Sequence, residues 1–361
     1  MPDQTVIEPL HGSRRGGQAI ESLWYTRCPV PTASSIAIDH GWLDAEFADE
    51  GITISSLRAS EAREVRESHF DHRQADSFRQ GGNIPPIWTR AGGGDMALIG
   101  LTWVEEYQAV LALPESGIKN VRGLKGRRIG IPKRVNDQID FFRAMCLRGV
   151  LTALAIEGMD EKDVELVYLP VEETYIGADA ASHSGTLWAG GNRARRQKAD
   201  SFALIRGEVD AIYTIGATGA HMAASLGAVE VAEFGFNADP AISGGNETPA
   251  ALTVSGALLR ERPDLVARYM KQLLLAARWA EDNPWATAAI VAADVGAPLE
   301  WAGAAYGPDF HAKFAPGLDD DWIAGLKAQK DFLLKWAFIE GDFDIDDWID
   351  SGPLEMARAM L

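Results

Sequence analysis

Trp24-Tyr-Thr-Arg-Cys28-Pro-Val-Pro-Thr-Ala33, continued by Gly41-Trp-Leu-Asp-Ala-Glu46 and Gly51-Ile-Thr-Ile54, is the stretch that decides the fold. Ser22–Tyr25 reads as a short strand, Ala33–His40 as a helix closed by Gly41, and Ile52–Leu57 as a second strand. Two strands joined through a helix make a βαβ unit, and a crossover of that kind sets the strands parallel. The first junction holds Cys28, fenced by Pro29 and Pro31. In open α/β sheets that position, at the carboxyl end of a strand and before a helix, is where ligands collect.

The alternation continues outward. Met96–Leu101 and Gln108–Leu113 are apolar enough for buried strands, and Leu124–Pro132 is a turn feeding another strand. A helix through Arg143–Leu154 and a strand at Val164–Pro170 follow, so the pattern restarts after about residue 125. Ser201–Tyr213 reads as a helix broken at Gly207 and then a strand Ala211–Thr214, and Gly244 to Gly256 reads as a return crossing. Beyond Arg260 the chain turns helical, with spans at Pro263–Asp282, Pro284–Val295, Asp319–Trp336 and Leu354–Leu361. Trp285, Trp301, Trp322, Trp336 and Trp348 are expected to be mostly packing residues. At 361 residues the chain exceeds what one core usually serves, so two lobes are expected. The boundaries read as 20–125 plus 245–361 for lobe 1 with the C-terminal helices and 126–244 for lobe 2, with a ligand cleft between them.

A formal net charge of −18 argues against nucleic acid and against an anionic membrane surface, since both would be repelled. An anionic ligand would need local Arg or Lys residues to reverse that field. No run of about 18 apolar residues offers a membrane span, so no membrane insertion is expected. Residues 1–20 carry Arg14-Arg15 without the apolar core of a signal peptide, and Cys28 and Cys146 are too few for a disulfide framework. The expected setting is cytoplasmic, with Cys28 a free thiol. His69 and His72 have helix spacing for a metal pair but lack a placed carboxylate, so no metal and no other cofactor is expected. Gly92-Gly93-Gly94 lacks the Lys-Ser/Thr of a phosphate loop.

Taken together, Cys28-Pro-Val-Pro31, Gly41-Trp-Leu, Gly51-Ile-Thr, Gly123-Leu-Lys-Gly-Arg-Arg-Ile-Gly-Ile-Pro132 and Gly207-Glu-Val-Asp-Ala-Ile-Tyr213 resemble the periplasmic binding protein type II fold, in its sulfonate, nitrate and pyrimidine-precursor branch. The fold class this implies is α/β and two-lobed, with mixed, mainly parallel sheets and a helical C-terminal region. Three motifs in order resemble the aromatic sulfinate desulfinases more narrowly: Cys28-Pro-Val-Pro31, His69-Phe70, and Arg79-x-Gly81-Gly82-x-Ile84-Pro85-Pro86. The resemblance implies a cysteine-dependent desulfinase that releases sulfite from an aromatic sulfinate, a small anionic molecule. The alternative is a solute-binding protein of the sulfonate/nitrate type that closes on a small anion without turnover. Two-lobed proteins of this kind are usually monomers.

By that resemblance Cys28, His69 and Arg79 are the candidate catalytic residues, and Arg79, Gly81, Gly82 and Phe70 bind substrate. Arg79 suits the sulfinate oxygens because a guanidinium presents a planar fork of donors. Gly81 and Gly82 let backbone N–H groups approach an oxygen with no Cβ in the way. Cys28 either donates its proton to the ring carbon or attacks sulfur as thiolate, with Arg27 and a helix N-terminus beside it favouring thiolate. His69 orients or recharges the thiol. Asp71-His72-Arg73 and the arginine-rich run 193–196 suggest a more polar substrate than biphenyl.

Overall fold

The computed structural model describes Leu10 and residues 19–176 and 198–361. Ten strands form two five-stranded sheets. The first has the order β2-β1-β3-β10-β4, built from β1 (Ser22–Arg27), β2 (Thr53–Ser56), β3 (Ser77–Gly81), β4 (Met96–Thr102) and β10 (Ala250–Ser255). The second has the order β7-β6-β8-β5-β9, from β5 (Gln108–Ala112), β6 (Arg128–Arg134), β7 (Glu165–Val171), β8 (Ala211–Ile215) and β9 (Val229–Glu233). In the first sheet β10 alone runs against the other four strands, and in the second β5 does. The sheets are thus mixed but mainly parallel in direction.

The chain leaves the first sheet after Thr102 and returns to it at Ala250. Gln108–Ala112, counted in sequence with the segment 20–125, pairs with β8 and β9 in the second sheet. Its five residues are all buried, as are those of β10, so composition gives no hint of which sheet either strand completes. The opening βαβ unit stands as read: β1 and β2 are parallel, and the helix Ala33–Asp39 between them ends before Gly41, which takes the left-handed conformation.

Strand alternation sorts β1 and β3 into two faces. On the outer face Phe78 stacks on Tyr269 of the long helix Pro263–Asp282 at 3.8 Å between ring centroids, and Arg27 pairs with Asp294. On the inner face Thr26, Arg79 and Thr253 lie in register across β1, β3 and β10. The helix Arg63–Asp71 returns His69 to that row. Among the described residues no helix is long and apolar enough to cross a membrane. Of the five tryptophans singled out in the C-terminal region, Trp348 is buried and Trp301, Trp322 and Trp336 are half-buried, whereas Trp285 is 73 % exposed.

Candidate functional site

Cys28 follows the last residue of β1 and is half-buried. Its N–H donates to Gln80 O at 2.9 Å, which extends the β1–β3 pairing by one residue and sets Cys28 beside Gly81. The fit is close. A Cβ on Gly81 would lie 2.5 Å from both Cβ and Sγ of Cys28, and Gly81 has φ +151°, which a side chain would strain. Gly82 is pressed in the same way against the Asn246 amide, whose Oδ1 accepts the Ile84 N–H at 3.0 Å. The need for glycine at 81 is therefore first of all to make room for the sulfur.

Two groups converge on Sγ. His69 Nε2 lies 3.6 Å away and Arg79 Nη2 3.5 Å away. Arg79, buried, also donates from Nε to His69 O at 2.9 Å and from Nη1 to Gly82 O at 2.8 Å, which leaves one N–H on each terminal nitrogen. Its guanidinium pKa is lowered by burial, against the raising influence of Cys28 and Glu247. His69 is buried as well, with Nδ1 held 2.8 Å from Thr26 Oγ1. Burial above all, then the positive charges of Arg79 and Arg58, push its pKa well below the usual histidine value, so the ring is neutral at pH 7. Arg27, expected to act on the sulfur, points to the other face. It meets Asp294 through two bonds of 2.5 and 2.8 Å, and Arg79 supplies the positive charge at Sγ instead.

Phe70 is buried and meets the His69 ring edge-on at 4.8 Å. It also stacks on Phe141 at 5.8 Å and contacts Tyr175, residues of the segment that carries the second sheet. The polar triplet Asp71-His72-Arg73 bonds inward. Asp71 holds Arg73 at 2.8 Å and accepts from Gln138, while His72 sits between Thr89 Oγ1 at 3.3 Å and Thr253 Oγ1 at 3.2 Å. These bonds secure the helix end. The run 193–196 lies outside the described residues.

Three participants escaped the sequence reading: Thr26, Gln80 and Asn246. Thr26 was within reach, because it stands two residues before Cys28 on a strand and so shares its face. Gln80 donates to Thr102 Oγ1 and accepts the Ser34 N–H, both at 3.3 Å, which ties the helix after Cys28 to β3 and β4. Among the described residues no group of three or more His, Cys, Asp or Glu could hold a metal ion.

No protein-family model matches the chain. The chain is similar to the 2'-hydroxybiphenyl-2-sulfinate desulfinase of Rhodococcus erythropolis, with 28 % identity and 95 % of each chain covered. Among solved structures it is similar to the desulfurization enzyme DszB, as a cysteine-to-serine mutant in complex with biphenyl-2-sulfinic acid, with 28 % identity, TM-score 0.75, and 94 % of this chain and 99 % of that one covered. The periplasmic aliphatic sulphonate binding protein SsuA from Escherichia coli superposes with TM-score 0.63 at 16 % identity, over 92 % of this chain and 98 % of that one. That last likeness is one of fold alone. The resemblance read from the cysteine, histidine and arginine motifs thus extends over nearly the whole chain, on a periplasmic-binding-protein-like fold.

Proposed function

We propose that the chain is a desulfinase that hydrolyses the C–S bond of an aromatic sulfinate, ArSO2⁻ + H2O → ArH + HSO3⁻, with Cys28, His69 and Arg79 as its catalytic residues. One observation carries this: a half-buried thiol lies within 3.6 Å of both a neutral imidazole and a buried guanidinium, in a chain similar to a sulfinate desulfinase over 95 % of its length. The remaining N–H on each terminal nitrogen of Arg79 takes the sulfinate oxygens, assisted by the backbone of Gly81 and Gly82. Phe70 backs the ring of His69. Substrate enters between two lobes built on the two sheets.

A neutral His69 favours Cys28 as proton donor. The thiol proton passes to the ring carbon as the C–S bond breaks, and its electron pair stays with that carbon. Sulfur dioxide leaves, takes hydroxide from water to become bisulfite, and the remaining water proton restores the thiol. During the first step the sulfur becomes thiolate between Arg79 and His69, where a positive charge and an N–H stabilise it. Two free cysteines fit a reducing, cytoplasmic setting.

Sulfite release from a panel of aryl sulfinates by wild type and by Cys28→Ser, with ligand binding followed on both, tests the proposal. The expected result is sulfite from wild type only and binding by both proteins. Binding by both with no sulfite from either would return the chain to solute binding.

A further inference from the structure

The second sheet carries a cavity of its own, of about 300 Å³, between the helices Phe141–Ile156, Lys198–Ile205 and Gly216–Leu226 and strand β8. Its volume is at the lower end for small-molecule sites and suits one or two rings. The walls are largely apolar and include the rings of Phe142 and Tyr213 and the thioethers of Met145 and Met222. Sulfur beside a ring edge is a favourable contact, so this lining selects aromatic occupants.

Ser201, Thr214, Thr218, His221 and Ser225 also line the cavity, and Asp200 is the most deeply buried of the polar residues there. Asp200 is 4 % exposed and its Oδ1 accepts the Ser201 N–H at 2.8 Å. The Ser201 hydroxyl has a single proton, and Met222 Sδ lies 2.8 Å from it, against 3.5 Å for Asp200 Oδ1. Among the described residues no hydrogen bond from another residue reaches Oδ2. Burial pushes the Asp200 carboxyl up to about 7, against the lowering influence of its bonds from Ser201. Cys146 also lines the cavity, but burial raises its thiol well above the usual range, so the place is built to bind and not to react.

We propose that this cavity is a second ligand site, separate from Cys28, for a small aromatic molecule with one O–H or N–H donor directed at Asp200 Oδ2. A ligand that brings a further donor to this buried carboxyl adds a charge-assisted hydrogen bond to its apolar contacts. A ring without a donor fills the same space and adds no bond to the carboxyl.

The test uses full-length protein labelled with ¹³C at the methionine methyls, titrated with phenol, benzylamine and toluene. The expected result is a saturable shift of the Met145 and Met222 signals with phenol, benzylamine or both, and affinity for toluene weaker by about tenfold or more. The phenol and benzylamine arms tell a hydroxyl from an ammonium donor. Asp200→Leu, which removes both carboxyl acceptors at similar volume, is expected to erase most of the difference between phenol and toluene. Thr218→Phe, on the half-buried face of a lining helix, is expected to remove the shifts while sulfite release and the melting curve stay as in wild type. Equal affinity for phenol and toluene, no saturable shift, or shifts that persist in folded Thr218→Phe would overturn the proposal.

Discussion

Replacing Gly81 by alanine puts the geometry of the sulfur to a direct test. The added Cβ would sit 2.5 Å from Cys28 Cβ and Sγ. Non-bonded heavy atoms rest at about 3.5–4.0 Å, so the sulfur must move by about 1 Å. Its contacts to His69 at 3.6 Å and Arg79 at 3.5 Å do not survive such a move away from them. A misplacement of about 1 Å at a reacting atom costs about 10²-fold in rate, which is the expected fall in kcat for sulfite release. Stability should fall by about 1–3 kcal/mol, because φ +151° is unfavourable for alanine. Gly51→Ala separates the two effects: Gly51 has φ +70° and nothing within 4 Å of its Cβ position. That variant should lose about 1–2 kcal/mol with kcat unchanged. Sulfite release and urea unfolding on both proteins provide the readout. A Gly81→Ala enzyme within threefold of wild type, or one no worse than Gly51→Ala at equal loss of stability, would refute the packing argument.

Other outcomes follow from the same geometry. Thr26→Val removes the 2.8 Å partner of His69 Nδ1 and should lower kcat by about 10- to 100-fold and change the imidazole tautomer seen by ¹⁵N NMR, with Thr26→Ser restoring both. His72, pushed down to about 3 by burial and the Arg79 charge from an ordinary 6.5, is neutral when folded and takes a proton when unfolded. Its stabilising contribution is therefore complete above pH 6.5 and falls below it, by about 2 kcal/mol at pH 5. Wild type should lose that much more stability than His72→Gln between pH 7 and 5, and parallel losses would contradict the assignment. Arg27→Ala leaves Asp294 buried without its partner and should cost about 3–5 kcal/mol in urea unfolding, whereas Arg27→Met with Asp294→Leu should recover most of it.

Cys28 and its βαβ setting were legible because glycines at 41 and 51 punctuate the unit and the apolar runs between them are short. Strand β3 was not. Ser77-Phe-Arg-Gln-Gly81 has only one apolar residue, yet all five are buried, because Arg79 and Gln80 bond inside the protein. Residues that build a site depart from the hydrophobic pattern that marks ordinary strands, and so hide the element that carries them. Arg27 shows the converse. Proximity in sequence suggested a role at Cys28, but adjacent strand residues face opposite ways, and the partner it meets lies 267 positions away. Asp71-His72-Arg73 shows a third limit: composition cannot tell a side chain that faces a ligand from one that closes a helix end.

The placement of β10 has a bearing on how the protein is made. It lies between β3 and β4, hydrogen-bonded to both, although 147 residues separate the end of β4 at Thr102 from its own start at Ala250. A ribosome adding about 5–20 residues per second needs roughly 7–30 s to cover that distance. Throughout that interval β3 and β4 have no strand to join them, and Gly82 lacks the Asn246 it packs against. The strands of the second sheet all emerge within the same interval and can pair first. The thiol pocket thus stays incomplete until β10 emerges, so a premature stop between residues 102 and 250 leaves Cys28 beside an unfinished sheet, a natural target for chaperones and proteases.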